Sequence, residues 1–422
     1  MAYYPDWAAP AFPPEKIDFG RFDWIDYAFA VPDENFNLTW DGSDDAPNLL
    51  ARLVSAAHGK GKNVKLSVGG WTGSKFFSPA VSSEQSRQTF VANILDVYKH
   101  PNDTANFLAF LQLLRATLPP TAKITAATLT VPFADDAGNP LADASAFAQV
   151  LDWVLLMNYD AWGSSSSPGP NAPLSDGCYN STQDSANAFS AMQAWTAAGF
   201  PASKLVLGVP SYGYISRSSA TLLRSRSHAP PRTRRSRHAR WRRLSLLQWT
   251  DALVPAPGPL LPPPVLATSE DGGTDSGQVQ FSELVQQGVL QSTPDAARTI
   301  VQGTELHSLY AGWSGFTRYW DACSSTPYLR SAAAGQVVTY DDPMSLGMKA
   351  VFAREAGMRG VNMFDVHGDT DAWDLTDALR RGLGVIWRID WLGDGGAGAN
   401  VHFWAFSCRC GRECRILRKF DN

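Results

Sequence analysis

The chain alternates short apolar runs with helical patterns, and this alternation constrains its fold more than any other feature. The apolar runs predict seven buried strands: Ala2–Pro5, Trp24–Ala30, Asn63–Val68, Lys123–Thr130, Leu151–Asn158, Lys204–Val209 and Arg359–Phe364. Helical periodicity predicts the helices Ala46–Lys60, Ser83–His100, Thr104–Leu118, Ala144–Val150, Ser185–Gly199 and Pro343–Gly357. Such alternation is typical of parallel βα units, and 422 residues are enough to close them into a barrel.

At one place two predicted helices follow each other with no strand between them. The stretch FVANILDVYKHPNDTANFLAFLQLLRATLPP, residues 90–120, has one apolar helical face before Pro101 and a second one after it. A closed (β/α) barrel needs eight strands, and the seven predicted ones leave the fourth position empty. The sequence therefore predicts an α/β fold, a (β/α)8 TIM-type barrel whose strand four is deleted between about Lys99 and Asn102.

Charge and composition argue against several classes of function. Residues 217–243 hold ten Arg and no acidic residue, whereas the rest of the chain has 26 Lys and Arg against 40 Asp and Glu. We therefore expect no binding of nucleic acid by the protein as a whole, and no apolar run is long enough to span a membrane. No signal peptide is recognisable, although the triplets at Asn37, Asn102 and Asn180 match the N-glycosylation pattern of secreted proteins.

Two segments depart from the barrel pattern. Residues 216–277 are Arg-rich and then Pro-rich without a stable period, which predicts a disordered insertion. A basic patch for polyanions and a stretch that is not authentic coding sequence are the alternatives. The expected organisation is an N-terminal barrel part at 2–215, this insertion, a C-terminal barrel part at 278–384 and an unrelated tail at 385–422.

The five cysteines do not define a disulfide framework. Cys178 and Cys323 could pair, but their spacing does not decide it. In the tail, one His and three Cys have the residue types of a zinc site, yet their spacing matches no usual paired pattern and we expect no metal. These residues are His402, Cys408, Cys410 and Cys414.

Four motifs stand at the ends of predicted strands, where a (β/α) barrel builds its active site. They are KLSVGGW at 65–71, LLMNYDAWG at 155–163, LGVPSYG at 207–213 and RGVNMFD at 359–365. Residues two apart on a strand share a face, so Met157 and Tyr159 can both point into the barrel. Each motif alone is weak, but their order and spacing together predict one site.

In that order and spacing the chain resembles glycoside hydrolase family 18 chitinases of the secreted fungal type. The resemblance covers residues 2–215 and about 278–384, and its clearest pieces are AYYPDW, DWIDYAFA, VKLSVGGW, TANFLAFLQLLR, MNYDAWGSSSSPGPNAPLSDGC and VTYDDPMSLGMKAVFAREAGMRGVNMFD. It implies a (β/α)8 barrel with a groove for β-1,4-linked N-acetylglucosamine and without metal or cofactor. It also implies an extracellular monomer that binds chitin or chito-oligosaccharides.

The resemblance assigns site residues as well. Tyr159 would donate its hydroxyl to the acetamido carbonyl, Asp160 would contact the sugar near the cleavage point, and Met157 would line the same pocket. Apolar faces for the sugar rings would come from Tyr3, Phe29, Trp71, Trp162, Tyr212 and Phe364. Phe364 stands where the family usually has Trp, so less stacking area is expected there.

The catalytic acid of the family is missing from this sequence. In the family, a Glu in a D-x-x-D-x-D-x-E strand four protonates the glycosidic oxygen while the substrate's own acetamido oxygen attacks the anomeric carbon. That motif occurs nowhere in the chain. Asp160 and Asp365 are the nearest carboxylates by strand position, but neither lies on strand four, and a general acid needs hydrogen-bond reach to the glycosidic oxygen.

The sequence thus predicts a chitinase-family protein that cannot hydrolyse chitin and whose barrel is weak or distorted. Two other interpretations remain open. One is a non-catalytic, lectin-like chitin-binding protein. The other is an alternative or misread transcript, in which the deletion, the Arg/Pro stretch and the tail are a skipped exon and translated intron.

Overall fold

Seven parallel strands form the central sheet, each where the sequence predicts one. The computed structural model describes residues 1–40, 42–70, 104–135, 139–179, 181–223, 264–267, 277–293, 298–301, 304–307 and 310–385, with scattered positions between 76 and 90. In chain order the strands are β1 Ala2–Pro5, β2 Trp24–Pro32, β3 Leu38–Trp40, β4 Asn63–Val68, β5 Thr125–Thr128, β6 Trp153–Leu156, β7 Leu205–Pro210, β8 Tyr212–Arg217, β9 Gln278–Gln280, β10 Leu290–Ser292, β11 Arg298–Val301, β12 Thr304–His307, β13 Tyr310–Gly312, β14 Thr317–Asp321, β15 Thr326–Ser331, β16 Gln336–Thr339 and β17 Gly360–Phe364.

The parallel strands follow the order of a βα barrel. The sheet runs β4–β2–β1–β17–β7–β6–β5, with β3 added as a short antiparallel strand on β2. The first strand pairs with the last, at Ala2 and Met363, as the first and last strands of a (β/α)8 barrel do. The predicted (β/α)8 TIM-type fold is confirmed.

Between β4 and β5 the described residues contain no strand. These two strands end the hydrogen-bonded path of the sheet. Lys65 on β4 reaches across, and its Nζ donates to Thr125 Oγ1 on β5 at 3.4 Å. The predicted deletion point at residues 99–102 itself lies outside the described residues.

Five of the six predicted helices are present with somewhat shorter bounds, and most of the sixth, Ser83–His100, lies outside the described residues. The described α-helices are α1 Ala46–His58, α2 Thr104–Thr117, α3 Ser145–Val150, α4 Ala188–Ala197, α5 Phe281–Gln286, α6 Pro343–Glu355 and α7 Asp374–Leu383. In α1 the buried residues Leu49, Leu53 and Ala57 recur every four positions, so one face packs on the sheet. Asp342 caps α6 by accepting from the Ser345 N–H at 2.9 Å, and Gly357 follows its end at φ +69°.

A second, antiparallel sheet was not predicted from the sequence. Its order is β14–β15–β16–β8–β9. β8 begins two residues after β7 ends, so this sheet extends the C-terminal end of a barrel strand. The antiparallel sheet therefore lies next to the C-terminal end of the barrel, where the predicted site motifs are.

A disulfide joins the loop after β6 to the turn between β14 and β15. Cys178 and Cys323 are bonded, with their Cα atoms 5.2 Å apart. Two backbone hydrogen bonds run alongside: Gly177 N donates to Cys323 O at 2.8 Å, and Leu174 N donates to Ser324 O at 2.9 Å. The pairing that the sequence left open is thus present.

Some predictions fall on residues that the structure does not describe. They include Trp71, most of 216–277, and the tail with its four zinc-type residues. The division into four segments therefore stays a prediction. Of the helices in the described ranges, none is long and apolar enough to cross a membrane.

Candidate functional site

Five aromatic rings meet at the C-terminal ends of the parallel strands. We call them the aromatic floor: Tyr3, Phe29, Tyr159, Tyr212 and Phe364. Phe364 lies in the middle, with ring centroids 5.1 Å from Tyr3, 6.4 Å from Phe29, 6.0 Å from Tyr159 and 6.4 Å from Tyr212. Phe364 and Phe29 are stacked with only 19° between their planes. Five residues far apart in sequence thus form one continuous apolar patch.

The rings of the floor differ in exposure. Tyr3 and Tyr212 are 5% and 3% exposed, whereas Phe29, Tyr159 and Phe364 are half-buried. The first two are therefore supports within the barrel. The other three keep open faces, and a sugar ring packs its C–H patches on such a face.

Asp160 stands beside the floor with its side chain exposed to solvent. Its backbone lies in the left-handed region at φ +58°, which Asp tolerates better than most residues. The Asp160 N–H donates to Asn171 Oδ1 at 2.8 Å. Two phenols donate to the same carboxylate oxygen, Oδ1: Tyr212 at 2.6 Å and Tyr214 at 2.8 Å. The carboxylate is therefore held in one orientation.

The phenols around Asp160 stay protonated over the physiological pH range. Burial raises the pKa of Tyr212 well above its usual value, and the nearby charge of Asp160 raises it further. Burial and then Asp160 raise the pKa of Tyr214 in the same way. Tyr159 also has a raised pKa, caused first by burial and then by Tyr3 and Asp160. All three hydroxyls thus remain hydrogen-bond donors.

Carboxylates near the floor already have partners. Asp26 lies opposite Tyr3 on the neighbouring strand; its Oδ1 is 3.0 Å from Lys65 Nζ, and its Oδ2 accepts from Asn362 Nδ2 at 2.9 Å. Asp365 accepts at Oδ1 from the backbone N–H of His367 at 2.8 Å, with the His367 ring Nδ1 at 2.9 Å. These groups act as acceptors in the fold.

Two other predicted site residues, Met157 and Trp162, are not among the rings of the aromatic floor. Met157 follows β6 and is half-buried; its N–H donates to Thr128 O at 2.8 Å. Trp162 is 9% exposed and packs so closely on Gly169 that a Cβ there would lie 2.5 Å from the indole. Trp162 therefore offers little surface to a ligand. Trp71 is not among the described residues.

Two residues of the site were missed by the sequence reasoning. The Trp7 ring lies 6.1 Å from that of Phe29 at 30° and extends the floor, since Trp7 is also half-buried. Tyr214 donates to Asp160. Both carried a signal: Trp7 closes the motif AYYPDW, and Tyr214 follows Tyr212 by two residues and so shares its strand face.

No metal centre is evident in the part of the chain that the structure describes. It holds no group of three or more His, Cys, Asp or Glu close enough to bind an ion. The arrangement instead combines apolar ring faces with one exposed carboxylate, which suits a polar ligand with apolar faces.

Comparison with known proteins relates the chain to one family of glycosyl hydrolases. The model of the Glycosyl hydrolases family 18 matches residues 1–369. A protein of Moniliophthora roreri named chitinase-like effector is 33% identical, over 91% of this chain and 92% of its own length.

Solved structures agree with this relationship. The chitinase RmChi1 of Rhizomucor miehei superposes with a TM-score of 0.61 at 26% identity, over 90% of this chain and 99% of that one. A mutant class V chitinase of Nicotiana tobaccum, crystallised in complex with NAG4, superposes with a TM-score of 0.65 at 19% identity, over 91% and 98%. At 19% identity, the second likeness concerns the fold alone.

Proposed function

The chain belongs to glycosyl hydrolase family 18, and from that premise we propose that it binds chito-oligosaccharides in its groove without hydrolysing them. The observation that carries this proposal is the aromatic floor together with the engaged carboxylates around it. The floor retains binding surface, while the group that should deliver a proton is missing from the sequence.

The binding half of the proposal rests on surface chemistry. The half-buried rings of Trp7, Phe29, Tyr159 and Phe364 are available to the C–H faces of sugar units. Tyr159 keeps its hydroxyl proton because its pKa is raised by burial, and it can donate to an acetamido carbonyl. The mutant class V chitinase of Nicotiana tobaccum was crystallised with NAG4 on the same fold.

The inactive half rests on the missing acid. The D-x-x-D-x-D-x-E motif is absent from the sequence, and proton donation to the leaving oxygen requires a positioned acid. Asp160 Oδ1 accepts two phenolic protons, and Asp365 accepts from His367. Groups used as acceptors in this way do not replace the family's Glu.

Titration calorimetry and a hydrolysis assay with chitotetraose test both halves. We expect saturable binding and no release of shorter sugars. Phe364→Ala should weaken binding by about 10-fold or more, because the central ring of the floor is lost. Tyr179→Ala, which removes an exposed ring outside the floor, is the control and should leave affinity unchanged. Sugar release by the purified chain, abolished by Asp160→Asn, would overturn the inactive half.

We further propose that the protein acts outside the cell. The Cys178–Cys323 disulfide and the glycosylation triplet at Asn37 support this, because disulfides persist in oxidising compartments. The relative in Moniliophthora roreri bears the name effector. Immunodetection in the culture fluid against the cell extract of the source organism is the test, and confinement to the extract would contradict it.

A further inference from the structure

The charge of Asp160 is the feature of the groove that the proposed function leaves unused. Among the described residues no Lys, Arg or His forms an ion pair with Asp160, whereas Asp26 has Lys65 at 3.0 Å and Asp342 has Arg318 at 2.7 Å. Its partners Tyr212 and Tyr214 are neutral phenols. Asp160 therefore brings an uncompensated negative charge to the edge of the aromatic floor.

The two oxygens of this carboxylate are not equivalent. Both phenolic hydroxyls donate to Oδ1, and the described residues place no hydrogen-bond donor on Oδ2. The backbone of Asp160 is fixed by Asn171 at 2.8 Å, and its side chain is exposed. The structure thus holds one acceptor oxygen ready for a ligand, next to rings that can carry the neighbouring units of that ligand.

The best ligand for such an oxygen is a cationic donor. A fully acetylated chito-oligosaccharide offers only neutral hydroxyl and amide donors. A unit that has lost its acetyl group carries an ammonium at the same carbon, and a charge-assisted hydrogen bond is roughly twice as strong as a neutral one. The surroundings add to this preference, because the chain is acidic outside residues 217–243.

We propose that the groove prefers partly deacetylated chito-oligosaccharides, with the ammonium of a glucosamine unit on Asp160 Oδ2 and N-acetylated units on the aromatic floor. This inference rests on the proposed function and names its ligand class more closely. It assigns to Tyr212 and Tyr214 the role of positioning residues, because both donate to Oδ1 and leave Oδ2 to the ligand.

Calorimetry with three tetramers of defined acetylation tests this proposal. We use fully acetylated chitotetraose, a singly deacetylated tetramer and a fully deacetylated one, at one mildly acidic pH where the amine is charged. We expect the singly deacetylated tetramer to bind about 3- to 10-fold more tightly than the acetylated one, the range for an exposed charge-assisted contact. Raising the salt from 20 to 500 mM should remove most of that difference.

The variant Asp160→Asn distinguishes the contact between the ammonium and Asp160 from a general attraction of the cation to an acidic protein. It should abolish the preference, whereas Asp371→Asn, which removes an equal charge from an exposed residue that is not part of the aromatic floor, should keep it. Equal or tighter binding of the acetylated tetramer by the unaltered protein would overturn this inference and leave the proposed function intact. A preference that survives Asp160→Asn would also overturn it. Failure of all three tetramers to bind would instead reject the proposed function.

Discussion

The two sides of the barrel differ in how completely their strands are buried. Every residue of β6 and of β7 is buried. In β4 and β5, which face the position of strand four, most residues are only half-buried. An inner strand of a parallel sheet is covered on both faces and by a neighbour at each edge, and β4 and β5 have only one hydrogen-bonded parallel neighbour each within the described sheet. We call the side of β4 and β5 the incomplete side and the side of β6, β7 and β17 the complete side. The lower burial is confined to the incomplete side, and most rings of the aromatic floor lie on or beside the other strands.

Under the proposed function, ligand binding depends on one part of this barrel, whereas the acid of the family's chemistry would lie in another. The strand that the resemblance implies for the acid would lie between β4 and β5, whereas Tyr159 follows β6, and Tyr212 and Phe364 lie on β8 and β17. A barrel that lacks the strand with the acid can therefore keep the aromatic floor. We therefore expect mutations on the two sides to change the free energy of unfolding by different amounts. Equal changes would contradict the difference between the sides.

The largest effect is expected on the complete side, in α6. Lys349 and Asp341 form an ion pair with both side chains fully buried, and α6 packs against β17 and β7. Lys349→Met leaves the Asp341 carboxylate buried without its cation, which should lower the free energy of unfolding by about 3–5 kcal/mol. Urea unfolding measures this. The double variant Lys349→Met/Asp341→Leu should recover most of the loss, and a double variant as unstable as the single one would contradict the explanation.

A matched pair of truncations tests the comparison most directly. Leu207 on β7 is fully buried, and Leu66 on β4 is half-buried. Leu207→Ala should cost about 2–5 kcal/mol and Leu66→Ala roughly half of that or less, because less apolar surface and a smaller cavity are involved. Equal losses in urea unfolding would show that the two sides are equally packed.

A smaller, pH-dependent effect is expected beside β5. Burial raises the pKa of Asp152, but the Ile124 N–H at 2.9 Å and ion pairs with Lys123 at 3.0 Å and Arg115 at 2.5 Å lower it more, so it lies below its usual value. Because the pKa of Asp152 is lower in the folded state than in the unfolded state, its carboxylate stabilises the fold at pH values above the unfolded-state pKa of about 4. This stabilisation is lost as the pH falls through the folded-state pKa.

Asp152→Asn should therefore lower the free energy of unfolding at pH 7 by about 1 kcal/mol, since the pairs are partly exposed. The difference from the unaltered protein should shrink as unfolding is measured towards pH 3. A difference that stays constant with pH would mean that packing, and not charge, makes the contribution.

The smallest effect on stability is expected at the site. Tyr214→Phe removes one of the two hydroxyls on Asp160 Oδ1 and leaves the ring in place. We expect the affinity for chitotetraose to fall about 2- to 5-fold, in line with one exposed hydrogen bond, while the urea midpoint stays within error. Tyr319→Phe, on a half-buried ring stacked on Tyr328, is the control. A drop in stability without a drop in affinity would make Tyr214 a purely structural residue.

The barrel was predictable because its signals are local. Each parallel strand is a short apolar run followed by a helical pattern, and Asp342 and Gly357 mark the ends of α6 with the residue types that helix termini require. The antiparallel sheet was missed because its strands β8 and β9 lie on either side of residues 218–277, and pairing over such a distance leaves no local signal.

The site was predicted in part, for a related reason. Motif positions identified Tyr3, Phe29, Tyr159, Tyr212 and Phe364, which the fold brings together. The contact between Tyr214 and Asp160 joins two segments 54 residues apart, so only the fold shows it. The predicted weakness of the barrel stays a prediction, for which the variants above supply the measurement.

The disulfide also changes what a cut in the chain would do. Cys178 and Cys323 are 145 residues apart, and the Arg/Pro-rich stretch at 216–277 lies wholly between them. A protease that nicks this stretch after an Arg would produce two fragments that remain one covalent molecule. On a gel without reductant such a nicked protein would keep its full mass, and only reduction would separate a fragment carrying β1 to β7 from one carrying β17.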